Sequence, residues 1–263
     1  MSNRVRLPGE CVDGNPVLFE IISARIAEKV NDDKHVVYTI QVCHLSGRED
    51  VNPITIERRY THFYNLYVSL KQEFPTLMSS ISFPRKVLIG NFDDKLITTR
   101  STGFESLMKL ISSECRLLNA TAVTSFLQDF ELNQAKEFIN EKLFDQAIPI
   151  LENNFRILNK VYTDRSKAVL LALCRLLNCC TCVPGSPNAD KWAELALYRF
   201  EGVSDSDLLT MYVPLLHLCI KLCRQHEQNT QHLEQRLQNL HRRGVPVTNT
   251  TSLSDALALI EHM

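Results

Sequence analysis

The run "RRYTHFYNLYVSLKQEFP", Arg58 to Pro75, sets two cations against an aromatic residue and then enters a helical pattern. A guanidinium is a planar fork of N–H donors that fits a phosphate with two parallel hydrogen bonds. An aromatic ring beside it offers a flat apolar platform for a sugar-like ring. Neighbouring side chains on a strand point to opposite faces, so only one of Arg58 and Arg59 can serve a given pocket. The plainer reading of the same residues is a solvated strand end with Tyr60 in the core. A second cationic stretch, "SFPRKVLIGNF", places Arg85 and Lys86 directly before Val87, Leu88 and Ile89. Apolar residues beside cations on a loop suit a segment that dips into an anionic bilayer. The alternative is a loop folded back onto the core.

The elements that must position these residues follow from periodicity. "VLFEIISARI" and "HVVYTIQVCH" are rich in β-branched and aromatic residues, and the polar "EKVNDDK" between them predicts a hairpin. "PITIERRY" is a third strand. The period then changes, with Phe63, Leu66, Tyr67, Leu70 and Phe74 at helical spacing up to Pro75. After a non-repetitive stretch, helical pattern resumes at about Leu96 and continues through "AVTSFLQDFEL". Strands followed by helices predict a small α+β domain.

From Asn133 onward the pattern is all-α. "NQAKEFINEKLFDQAIPILENNFRIL" predicts two antiparallel helices, with Ala135, Phe138, Ala147 and Leu151 between them. Asp164 is placed to cap the helix "RSKAVLLALCRLLNCC". Ser204 with Asp207 forms a capping box ahead of "LLTMYVPLLHLCIKLCRQHEQ", in which Pro214 predicts a break or kink. "TQHLEQRLQNLHRR" stops at Gly244 and Pro246, and "SLSDALALIEHM" forms a last helix.

Composition narrows the function. Lys and Arg total 29 of 263 residues against 30 acidic ones, so global charge predicts neither nucleic-acid nor membrane binding, and any anion site is local. Apolar content of 44% is that of an ordinary globular protein. The start "MSNRVRLPGECVDG" has no apolar signal region, so the nine cysteines are expected as reduced cytosolic thiols. No apolar run reaches the roughly 18 residues of a spanning helix. Cys179, Cys180 and Cys182, with Cys219, Cys223, His217 and His226, lack the paired spacing of a structural zinc site and read as buried thiols, so neither a metal nor a cofactor is expected. No third group is placed to orient a Cys–His nucleophile, so no enzyme activity is expected. Arg242 and Arg243 are either a second anion contact or a solvated helix end. No glycine-rich nucleotide-binding loop occurs.

Taken in order, "RRYTHFYNLYVSLKQEFP", "FPRK" and Arg100 ahead of "GFESLMKLI" resemble the PX (phox homology) phosphoinositide-binding domain of sorting nexins. The loop has Pro84 followed by Arg85 where many relatives carry two adjacent prolines. The resemblance implies that Arg59 contacts the 3-phosphate, that Tyr60 stacks on the inositol ring, that Lys86 binds the 1-phosphate, and that Arg100 contacts ring hydroxyls. It implies that Val87, Leu88 and Ile89 insert into the membrane. With a helical half beginning "AKEFINEKLFDQAIPILENNF", the chain is similar to the subfamily of sorting nexins 20 and 21. That similarity implies an N-terminal extension (1–15), a PX domain (16–132) and an all-α tetratricopeptide-like domain (133–263). The family's function then implies a peripheral adaptor on the cytosolic face of early endosomes that binds phosphatidylinositol 3-phosphate. The cytosolic tail of a membrane protein, or another protein, would bind the helical half. The competing reading is a protein-binding scaffold with little lipid affinity.

Overall fold

The structure, a computed structural model, describes residues 17–29, 32–44, 53–87, 89–186, 188–201, 206–247 and 251–261. The N-terminal extension, Leu88 and Ser204 lie outside the described residues. Strands β1 (Val17–Lys29), β2 (Asp32–His44) and β3 (Ile54–Arg59) form one antiparallel sheet in the order β1-β2-β3. Helices α1 (Tyr60–Glu73), α2 (Pro75–Met78), α3 (Asp94–Ser113), α4 (Cys115–Leu118) and the first half of α5 (Thr121–Asn140) complete a compact unit that ends at Phe130.

Alternation along the sheet decides its inward face. Tyr38, Ile40 and Val42 of β2 are fully buried, and register pairs Tyr38 with Arg58 and Ile40 with Ile56. On α1 the buried residues are Phe63, Leu66 and Leu70; on α3 they are Arg100, Phe104, Leu107, Met108 and Ile111. Each set keeps the spacing of a single helical stripe. The stripes meet the sheet in an aromatic cluster. Phe63 stacks on Phe104 at 3.9 Å between ring centroids, and Tyr38 meets Phe104 edge-on at 4.9 Å.

Proline does not simply end α1. The helix closes at Glu73, and Pro75 opens the one-turn α2 at its first position, where a missing N–H costs nothing. Asp93 starts α3 by accepting a hydrogen bond from the Lys95 amide. That start precedes the first apolar residue of the stripe and explains why periodicity alone places it two residues late.

The second compact unit begins at Glu131 and continues with α6 (Phe144–Val161), α7 (Lys167–Cys180), α8 (Ala189–Phe200), α9 (Ser206–Gln225), α10 (Gln231–Arg242) and α11 (Leu253–Glu261). No strand occurs in it among the described residues. Helix α6 packs on α7, α7 on α8 and α11, and α9 on α10 and α11. The expected cap of α7 changes here. Ser166, not Asp164, caps α7, its hydroxyl accepting from the Val169 amide. Asp164 instead pairs with the buried Arg199 at 3.5 Å, and Arg199 also donates to Asn159 at 2.6 Å. The side chains of the proposed capping box at Ser204 and Asp207 lie outside the described residues. Pro214 lies within a continuous α9, as Pro149 lies within α6.

Candidate functional site

The two adjacent arginines separate as strand geometry requires. Arg58 faces inward and is only 1% exposed. Its Nε donates to the Phe126 carbonyl at 2.7 Å, Nη2 to the Leu127 carbonyl at 3.0 Å and Nη1 to the Glu57 carbonyl at 2.8 Å. The guanidinium also lies 5.4 Å from the Phe126 ring. Arg58 is therefore a tie between β3 and α5, not a ligand-facing group. Arg59 is half-buried where β3 turns into α1. Its amide donates to Nδ1 of His62 at 3.3 Å, so the third helical residue reaches back to satisfy the backbone ahead of the helix. Burial, then the Arg58 and Arg59 charges, push the His62 pKa down to about 4, which keeps that acceptor neutral.

Tyr60, the first residue of α1, gathers three segments. Its hydroxyl donates to the Pro84 carbonyl at 2.8 Å. The Arg100 guanidinium lies over its ring at 4.3 Å. Its ring also neighbours Phe83 at 5.8 Å and Tyr64 at 6.2 Å. Burial raises the Tyr60 pKa, opposed by Arg100, so the phenol stays protonated and able to donate.

Arg100 lies on the inward stripe of α3 and is 3% exposed. Its Nη2 donates to Oδ1 of Asn91 at 3.0 Å, and Asn91 Nδ2 donates onward to the Val87 carbonyl at 3.3 Å. Nε of Arg100 is buried without a hydrogen-bond partner. The loop itself turns at Gly90, whose φ of 81° favours glycine, and the Gly90 carbonyl accepts from the Asp93 amide. Arg85 and Lys86 are exposed on that loop, Val87 is half-buried, and Ile89 is 91% exposed. The fold thus joins Tyr60, the proline loop and Arg100 by direct contacts. Arg59 adjoins Tyr60 in sequence, and Lys86 follows Pro84 by two residues.

Two residues of this arrangement escaped sequence reasoning. Asn91 bridges Arg100 and the loop, and no local pattern marks it. Gly103 does carry a signal, as an isolated glycine inside a helical pattern. A Cβ built there would stand 2.4 Å from Pro84 Cγ.

In the helical unit, Cys174, Cys179 and Cys219 are pushed up to about 12 and Cys180 to about 11, chiefly by burial. These thiols are neutral at physiological pH and cannot supply a thiolate nucleophile. Seven described cysteines are free thiols. His226 pairs with Asp190 at 2.9 Å. No group of three His, Cys, Asp or Glu is placed to hold a metal among the described residues. Arg242 and Arg243 are exposed at the end of α10. An open cavity of about 570 Å³ between α9 and α10, lined by residues including His217, Lys221, Arg224 and Glu234, was not legible in the sequence.

Residues 47–130 match the PX domain family. Human sorting nexin-21 is 29% identical over 92% of this chain and 64% of its own length. Rat sorting nexin-20 is 29% identical over 78% of this chain and likewise 64% of its own length. The chain therefore matches just under two thirds of these relatives. A designed CISK-PX domain solved by X-ray crystallography is 28% identical over 41% of this chain and 95% of its own, with a TM-score of 0.35. No described helix is long and apolar enough to cross a membrane. Residues 47–130 thus match a PX domain, and the chain as a whole is similar to sorting nexins 20 and 21 over most of its length.

Proposed function

We propose that the chain is a phosphoinositide-binding peripheral membrane adaptor of the sorting nexin kind, not an enzyme. Its lipid is phosphatidylinositol 3-phosphate and its place is the cytosolic face of early endosomes. The observation that carries the reading is the meeting of three distant segments at Tyr60: its own hydroxyl on Pro84 and Arg100 over its ring. Arg59 reads the 3-phosphate and Lys86 the 1-phosphate. Tyr60 forms the wall beside the inositol ring, and Arg100 reaches ring hydroxyls by exchanging its bond to Asn91. The exposed Ile89, with Val87 and Leu88, enters the bilayer next to these cations.

Physical magnitudes fit a binder that needs two contacts. Each basic residue near an anionic surface contributes about 1 kcal/mol. Burying an apolar side chain adds about 1.5–3 kcal/mol when desolvation is complete, and docking entropy subtracts several kcal/mol. Moderate affinity from the PX unit makes a second, protein-directed contact through the tetratricopeptide-like helical unit valuable. The partner there is the cytosolic tail of a membrane protein or another cytosolic protein.

The test is vesicle co-sedimentation across all phosphoinositides, with wild type and Arg59→Ala. Losing a bidentate, charge-assisted phosphate contact is expected to cost about 3 kcal/mol, roughly a hundredfold in affinity. Unfolding temperature should not move. Retention of normal binding by Arg59→Ala would remove the assigned pocket.

A further inference from the structure

We propose that Gly103 is a positioning residue for the lipid site: its missing side chain lets Pro84 seat against α3, and that seat fixes where the Lys86 loop stands relative to Tyr60 and Arg100. The inference rests on the head-group reading above and adds a residue to it.

Gly103 lies well inside the 20-residue α3, where glycine costs a helix about 1 kcal/mol relative to alanine. Its φ does not lie in the left-handed region, so backbone freedom is not the reason for it. The reason is close approach. An added Cβ would stand 2.4 Å from Pro84 Cγ and 2.7 Å from Cδ. Comfortable carbon contacts begin at about 3.5 Å, so the proline would have to retreat by roughly 1 Å. Pro84 cannot swing a flexible tail aside, because the clashing atoms belong to its ring, which is fused to the backbone.

Moving Pro84 moves the site. Its carbonyl accepts the Tyr60 hydroxyl at 2.8 Å, and a bond stretched by 1 Å is no longer a hydrogen bond. Lys86 lies two residues along the same loop, and the Val87 carbonyl holds Asn91, which in turn holds Arg100. Arg100 and Gly103 are three apart on α3 and share a face of it. One face of the helix therefore meets Tyr60 through a guanidinium and the proline loop through a bare Cα.

The experiment uses the full chain with Gly103→Ala, Pro84→Ala and the double variant. Binding is read with phosphatidylcholine vesicles, with and without phosphatidylinositol 3-phosphate, and with soluble inositol 1,3-bisphosphate. Gly103→Ala is expected to bind both probes about tenfold more weakly, equivalent to about 1.4 kcal/mol. Pro84→Ala removes the Cγ and Cδ atoms, so the double variant should bind as Pro84→Ala alone does. That rescue is something a glycine kept for any contact other than Pro84 would not produce. Wild-type binding by Gly103→Ala, or losses that multiply in the double variant, would overturn the proposal. If Gly103→Ala does not fold, the double variant decides: folding with binding equal to Pro84→Ala supports the seat, and binding below it refutes the seat. A wild-type chain that binds none of these probes sinks the head-group reading, and this inference with it.

Discussion

Replacing Arg58 with alanine tests whether the first of the two adjacent arginines holds the fold together. The guanidinium makes three hydrogen bonds to carbonyls, at 2.7, 3.0 and 2.8 Å, and lies against the Phe126 ring. Hydrogen bonds from a charged donor are worth roughly 1.5–3 kcal/mol each, though three on one group do not add in full. Alanine also relieves the cost of burying the charge. The net loss is therefore set at about 3–5 kcal/mol, because three carbonyls lose their donor and an unsatisfied buried acceptor costs about 1–3 kcal/mol. For a unit of this size each kcal/mol moves the midpoint by about 3–4 °C, so its unfolding temperature should fall by at least about 9 °C. Differential scanning calorimetry, or circular dichroism during heating, measures this directly. Arg58→Lys keeps the charge but loses the fork and should fall between wild type and alanine. An Arg58→Ala protein that melts with the wild type yet no longer binds vesicles would refute the reasoning and move Arg58 into the lipid site.

His62 gives a pH signature: its pKa is held at about 4 in the fold against an ordinary 6.5, so the unfolded chain takes up the proton first. The stability involved is complete above pH 6.5 and is lost as pH falls from 6.5 through about 4. With solvent screening at this half-buried site the loss is about 1–2 kcal/mol, and His62→Asn, which keeps an acceptor for the Arg59 amide, should flatten the urea-midpoint profile over that window. Thiol labelling of the native chain should modify the exposed Cys182 first, while Cys174, fully neutral and buried, reacts only on unfolding. Mass spectrometry after a short alkylation pulse checks this, and early labelling of Cys174 would contradict its burial.

Period-two alternation was enough to locate the strands, because one face of a half-buried sheet must be apolar. The spacing of Phe63, Leu66 and Leu70 was enough to locate α1. The stripe of Phe104, Leu107 and Ile111 even carries Arg100 in register, a sign of its burial that is readable before any coordinates. Alternation also required Arg58 and Arg59 to part company. Which of them turns inward was not local information. It depends on β2, whose Tyr38 lies opposite Arg58 across the sheet, and on carbonyls of α5 almost seventy residues away.

The same division explains the misplaced cap on α7. Asp164 and Ser166 are both competent acceptors near a helix start, and propensity cannot choose between them. Arg199 chose, by drawing Asp164 into an ion pair from a helix that arrives 35 residues later. The candidate site shows it again. The chain's order of residues already singled out Arg59, Tyr60, Lys86 and Arg100, since charge and aromaticity are written in residue type. Only folding could bring the Tyr60 hydroxyl to Pro84, lay Arg100 on the ring and press Pro84 against Gly103, because distance between remote segments is set by packing and no local pattern encodes it.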